Sequence, residues 1–104
     1  MKILEINLAA DFGPHLADGE EAAKFRMLRI DPFIAISERI VMDFSGVRNA
    51  NSSFVNALVA GLIEQHGVGV LKYITFKGCN PVLRVLVEAA ISLGAYKVAG
   101  KVGA

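Results

Sequence analysis

The sequence predicts a single α/β domain with a small, mostly parallel sheet of three to five strands and three helices. Three observations predict it. Short apolar runs alternate with stretches of helical spacing in the order β-α-β-α-β-α. Such alternation implies parallel strands, right-handed crossovers and helices packed on the sheet. The chain has 104 residues, about one domain's worth, so residues 1–104 are read as one unit. Its residues are 54% hydrophobic, with a mean hydropathy of +0.49. Either one core is richly filled, or some apolar surface waits for a partner.

The first strand is Ile3 to Leu8. Leu4, Ile6 and Leu8 alternate with Ile3, Glu5 and Asn7, the pattern of an edge strand with one apolar face. Asp11-Phe12-Gly13-Pro14 reads as a turn. Asp18 caps the first helix, with Glu21 three residues on, and Ala22, Phe25 and Leu28 or Arg29 follow at helical spacing. Asp31-Pro32 kinks that helix, or ends it and restarts it with Pro32 in a first turn.

The second strand, Arg39 to Phe44, is short, apolar and partly β-branched, as suits a strand buried on both faces. Residues 45–50 form a loop. Asn51-Ser52-Ser53 offers three caps in a row for a helix from about Ser53 to Gln65, which Gly67 stops. The polar stripe of that helix is thin. Val70 to Phe76 is the third strand. Asn80-Pro81 caps and starts a last helix that runs to about Leu93 and ends at Gly94. Its polar stripe is Arg84, Glu88 and Ser92. A short edge strand is expected around Tyr96 to Ala99.

Composition excludes several classes. Eleven basic residues stand against ten acidic ones, and no basic run exceeds one residue. Neither nucleic-acid binding nor a polybasic membrane patch is expected. Cys79 is the single cysteine, so no intramolecular disulfide forms. Glu5 interrupts what a signal peptide would keep apolar, and the apolar runs fall short of a membrane span. A cytoplasmic address is the expectation. Two histidines and one cysteine build no closed metal site. No Gly-rich phosphate loop is present, and no cofactor is expected.

Two segments carry a family resemblance. The first is Ile40-Val41-Met42-Asp43-Phe44-Ser45-Gly46-Val47, followed by Asn51-Ser52-Ser53-Phe54 and a helix. The second is Lys77-Gly78-Cys79-Asn80-Pro81-Val82-Leu83-Arg84-Val85-Leu86, then Leu93-Gly94. Together they resemble the STAS domain, the fold of bacterial anti-sigma factor antagonists. The match is sharpest to STAS-like families of uncharacterised role, in which Ser-Phe replaces Ser-Gly and an early Phe-Gly turn matches Phe12-Gly13.

The resemblance implies a regulatory protein-binding module rather than an enzyme. In the antagonists, the first serine after an aspartate is phosphorylated by a partner kinase, a histidine-kinase-like ATPase that is also the anti-sigma factor. Carried over, the phosphoacceptor is Ser52. Two positions depart from the pattern: Asn51 stands where the family has aspartate, and Phe54 where it has glycine.

Loops after parallel strands gather at the carboxyl ends of the strands. Asp43, Asn51, Ser52, Ser53, Phe54, Lys77, Cys79 and Asn80 are therefore expected along one edge. A phosphate on Ser52 would add about −1.5 to −2 charges there. The plainer reading is that Ser52 or Ser53 only caps the helix. Asp43 is read as a general base or as an acceptor of loop amides. Cys79 is read as a reactive thiol or a buried inert one. Lys77 is a phosphate partner or a solvated lysine. Val55, Val59, Ile63, Val87 and Ile91, if exposed, form a partner surface; otherwise they are core or a homodimer seam. The alternatives to a switched module are an unswitched oligomer subunit and a small-molecule-binding domain.

Overall fold

A computed structural model describes residues 2–102. The elements run β1 (Ile3–Asn7), α1 (Leu8–Phe12), β2 (His15–Leu16), α2 (Gly19–Phe25), β3 (Arg39–Asp43), β4 (Asn49–Ala50), α3 (Ser52–Val55), α4 (Gly61–His66), β5 (Ile74–Lys77) and α5 (Pro81–Val102). π-helical turns at Arg26–Ile30 and Asn56–Ala60 prolong α2 and join α3 to α4. 3₁₀ turns cover Asp31–Ile36 and Val68–Lys72.

The main sheet has the order β1-β3-β5, all parallel, with Leu4, Ile40 and Ile74 in one register row and Ile6, Met42 and Phe76 in another. A second, two-stranded parallel ladder joins β2 to β4. The expected α/β architecture is present. The strand order explains where the helices lie. Each crossover moves one strand further in the same direction, so right-handed connections put every helix on the same side. The Leu4, Ile6, Ile40 and Met42 side faces the helices. The other side shows Glu5, Arg39 and Lys77 to solvent. This corrects the expectation that the β3 segment is buried on both faces.

The core is a slab between that sheet face and the helices. Leu58, Leu62 and Ile63 fill its centre, with Phe44 and Phe54 toward the strand ends and Leu83, Val87 and Ala90 from α5. Val55, Val59 and Ile63 are buried, Val87 is buried and Ile91 half-buried. Of the readings open for these residues, exposed partner surface or core, the structure places them in or against the core.

Local chemistry moved several boundaries. Asn7 ends β1 one residue early by accepting the Ala10 N–H at 3.1 Å, which starts α1 inside a segment expected to be strand and turn. Asp18 caps α2 as expected, accepting the N–H groups of Glu20 and Glu21. The π-helical turn adds one residue to its ring and rotates the chain. Arg26 and Ile30 consequently face inward, and Leu28 and Arg29, expected on the apolar face, are exposed. Asn49–Ala50 lies in an expected loop but pairs with His15–Leu16. Gly67 stops α4 with a φ of +83°. The third strand begins only at Ile74, because a 3₁₀ turn takes up Val68–Lys72.

The largest correction concerns α5. It does not end at Gly94, and the residues read as an edge strand, Tyr96 to Ala99, are helical. Residues 103–104 lie outside the described residues. Gly94 is a contact glycine: a Cβ there would stand 2.9 Å from the Ile63 Cβ and 3.1 Å from the Ala60 carbonyl oxygen. Its missing side chain lets α5 approach α4 closely. Gly94→Leu is expected to destabilise the fold by about 1–3 kcal/mol through overpacking, read as a lower urea midpoint at unchanged slope.

Candidate functional site

The edge at the carboxyl ends of β3 and β5 is built by a few short-range bonds. Asp43 closes β3, and its Oδ1 accepts the Ser45 N–H at 2.9 Å. The Phe44 N–H donates to the Lys77 carbonyl at 2.8 Å, and the Val47 N–H to the Phe44 carbonyl at 3.0 Å. Gly78 follows Lys77 with a φ of +73°. A Cβ at Gly78 would lie 2.4 Å from the Ser45 Oγ and 2.5 Å from its backbone nitrogen. Only glycine meets both demands.

Asp43 is well shielded, its side chain 13% exposed, and Lys77 Nζ stands 3.9 Å from its Oδ2. Hydrogen bonds from the Ser45 hydroxyl and then the Ser45 N–H hold the Asp43 carboxyl below its ordinary range. Partial burial opposes them, and the Lys77 cation adds a smaller pull. Asp43 is thus the acceptor of loop donors, and a carboxylate so lowered is a poor proton acceptor. Lys77 also lies 3.8 Å from Glu5 Oε1 across the open sheet face. The lysine read as a phosphate partner therefore neighbours two carboxylates.

The second group is centred on Asn51. Its Oδ1 accepts the Phe54 N–H and the Ser53 hydroxyl, both at 2.9 Å, which fixes its amide with Nδ2 pointing away. Nδ2 donates to the Ala17 carbonyl. Asparagine can do both, whereas an ionised aspartate only accepts. The departure from the resembled pattern has a local reason: Asn51 caps α3 and ties it to the segment before α2. Backbone donors reinforce this seam, with the Asn51 N–H on the Leu16 carbonyl and the Arg48 N–H on the Pro14 carbonyl.

Of the three candidate caps read from the sequence, Asn51 is the cap, and Ser52 and Ser53 are not. Ser52 is the first residue of α3, exposed, and its hydroxyl has no hydrogen-bond partner among the described residues. Phe54 is buried and packs edge-on against Phe12 with centroids 5.0 Å apart. The two features of the resemblance, Ser-Phe and the early Phe-Gly, are thus one contact.

Asn80 caps α5, accepting the Leu83 N–H at 2.9 Å, while its Nδ2 donates to the Arg48 carbonyl at 3.2 Å. Cys79 turns elsewhere. It lines a cleft of about 220 Å³ with Phe76, Arg84, Val87, Glu88 and Ile91. Burial pushes its thiol up, against a weaker pull from Arg84, so it stays protonated and unreactive near neutral pH. Ser53 borders a different hollow, open to solvent, flanked by Asp18 and Glu20. The expected single cluster is two groups: Asp43 with Lys77, and Asn51 with Ser53 and Phe54. Asn80 ties the loop between them to α5.

One cluster was missed by the sequence reading. The Arg26 guanidinium pairs with Asp31 and donates from Nε to the Ala57 carbonyl at 3.1 Å; His66 Nε2 lies 2.8 Å from the other Asp31 oxygen. Gly61 makes room for Arg26, since a Cβ there would meet the guanidinium at 2.8 Å. The three residues are 35 positions apart at the widest pairing, and an arginine at an apolar helical position was the sole hint.

A family model described as a STAS-like domain of unknown function (DUF4325) matches residues 21–83. The chain belongs to this family. The matched stretch of the STAS-like domain runs from α2 through β5 into the first turn of α5, and it holds Asp43, Asn51, Ser52, Ser53, Phe54, Lys77, Cys79 and Asn80. No curated protein and no solved structure matched the chain. Among the described residues, no helix is long and apolar enough to cross a membrane, and no group of three or more His, Cys, Asp or Glu side chains could hold a metal ion.

The cap assignment has a direct check. Asn51→Ala is expected to cost about 1–2 kcal/mol, whereas Ser52→Ala costs less than about 0.5 kcal/mol; urea unfolding of both variants reads the difference. The Asp43 assignment predicts a pH dependence. Its folded-state pKa is depressed, so its contribution is present above the ordinary value of 3.8 and is lost as pH falls through the lowered one. The stability gap between the native protein and Asp43→Asn should therefore be full at pH 7 and narrow below 3.8, measured as urea midpoints across that range.

Proposed function

We propose that this STAS-like domain is a regulatory protein-binding module of the anti-sigma factor antagonist type, and that Ser52 is its phosphorylation switch. The observation that carries the reading is the division of labour at the start of α3. Asn51 takes the cap, so the Ser52 hydroxyl is exposed and uncommitted. A kinase can reach it without unwinding the helix. The acidic start of α2 packs against this point, Gly19 lying against the Ser53 carbonyl. Lys77 stands beside Glu5 and Asp43. The hollow bordered by the neighbouring Ser53 is lined by Asp18 and Glu20 and by no cation, so it offers a phosphate on Ser52 no cationic pocket. Its charge is therefore turned outward, to repel a partner surface that binds the unmodified form.

Other features support binding over turnover. Asp43 is a weakened base and Cys79 a weakened nucleophile, and they serve different surroundings. The strand order runs in one direction without a reversal. An open parallel sheet forms its ligand crevice at such a reversal. The fitting partner is a histidine-kinase-like ATPase with a docking face for residues 45–56.

The test is affinity capture from the native cell extract with wild-type and Ser52→Asp protein as baits, plus phosphosite mapping of the endogenous chain. A negative charge in the first helical turn is favourable by about 0.3–1 kcal/mol, so Ser52→Asp should stay folded. The expected result is an ATPase held by wild type, lost by Ser52→Asp, with phosphate on Ser52. The same partner on both baits would remove Ser52 from the mechanism.

A further inference from the structure

The outer edge of β5 runs beside a cleft. Between β3 and β5 the Ile40 N–H donates to the Tyr73 carbonyl and the Phe44 N–H to the Lys77 carbonyl, both at 2.8 Å. Alternation along the strand turns the N–H and C=O of Ile74 and Phe76 the other way, out from the sheet. No described strand lies beyond β5. The side chains of Ile74 and Phe76 are half-buried, whereas Ile40 and Met42 in the same register rows are buried. The cleft of about 220 Å³ lies here, between Phe76 and Cys79 below and Arg84, Val87, Glu88 and Ile91 of α5 above.

A mismatch of widths makes this cleft. Helices α2, α3–α4 and α5 lie side by side on one face of three strands. Strands stand about 4.8 Å apart and helices about 8–10 Å. The outer strand axes are then about 10 Å apart and the outer helix axes about 16–20 Å. Helix α5 therefore overhangs β5 by about 3–5 Å, close to the width of one further strand.

We infer that an extended segment of a partner protein adds to β5 here as a fourth, antiparallel strand, with an acidic side chain on Arg84 and, two residues later, an apolar side chain in the cleft. The outward N–H and C=O of Ile74 and Phe76 ask for another strand's backbone, and the cleft beside them takes one alternate side chain. An antiparallel ladder is the more stable kind per residue. Helix α5 returns antiparallel to β5, so the added strand runs along α5 and passes Arg84 before Glu88. Arg84 lies about 7.5 Å along the helix from the midpoint of Val87 and Ile91, and side chains two apart on a strand lie about 6.8 Å apart. Arg84 and Glu88 are both exposed, and neither is in an ion pair among the described residues. The complementary segment thus reads acid, apolar, base at alternate positions. A second copy does not fit the strip. Entering by its own β5 about a two-fold axis normal to the sheet, it would carry its α5 to within about 5 Å of this one, closer than helix axes pack.

The test is titration of the full chain with the acetylated, amidated peptide Thr-Glu-Thr-Leu-Thr-Lys-Thr, followed by NMR of the backbone amides. The expected result is saturable shifts centred on Ile74, Phe76 and Cys79, with a dissociation constant below about 1 mM. The peptide with Glu and Lys exchanged should bind about 5-fold more weakly, as exposed charge pairs allow. The double variant Arg84→Glu with Glu88→Arg, at two exposed positions, should reverse that preference. Methylating the leucine nitrogen of the peptide removes the N–H that meets the edge and should abolish binding. No saturable shift up to about 2 mM overturns the inference, as do shifts confined to other surfaces. Equal binding of the N-methyl peptide overturns strand addition, and equal binding of the exchanged peptide overturns the register. Shifts of the Ile74 and Phe76 amides that grow with protein concentration in the absence of peptide would put a second copy on the edge and overturn it as well.

Discussion

The structure depends on the direction of its crossovers. Three parallel strands in the order β1-β3-β5 are joined by connections that all step the same way. Right-handedness then forces the helices onto one face. The core is confined to a single slab between that face and the helices. Such a slab must be filled completely, because no second layer is available. The 54% hydrophobic composition is the consequence. The same rule leaves one sheet face wet, so β3 alternates Ile40 and Met42 inside with Arg39 and Asp43 outside.

Close approach sets the packing within the helical layer. Gly94 lets α5 settle on Ala60 and Ile63, and Gly61 admits the Arg26 guanidinium. Arg26, Asp31 and His66 lock the turn after α2 to the end of α4. Removing one partner of such a shielded ion group leaves an uncompensated charge, which is costly. The two π-helical turns face each other through the bond from Arg26 to Ala57. These widened turns rotate each helix and aim a charged side chain where regular spacing would put an apolar one.

The candidate site inherits its geometry from this frame. Asn51 holds the start of α3 to the segment before α2, and Gly78 holds the β5 loop against Ser45 and Asp43. Both loops are thereby tied to neighbouring elements, and Ser52 stands on a capped helix end.

The sequence by itself determined the fold class, the three sheet strands, the caps Asp18 and Asn80, and the stop at Gly67. Each of these is a local matter of alternation, capping or left-handed backbone, which neighbours in the chain suffice to specify. The residues of the STAS-like motif were also legible, from Asp43 through Phe54 and from Lys77 to Asn80. Tertiary structure alone decided what those residues do. Whether Gly94 ends a helix or seats one depends on Ala60 and Ile63, more than thirty positions away. Whether Asn51, Ser52 or Ser53 caps α3 depends on tertiary contacts: the Ala17 carbonyl, 34 positions away, accepts from the Asn51 amide and holds it in place. The Asp31–His66 pair and the Phe12–Phe54 contact join distant segments for the same reason. Periodicity marks the polar stripe of α5, but only packing reveals which of its apolar residues are core: Leu83, Val87 and Ala90 are buried, whereas Val82 and Val85 are exposed.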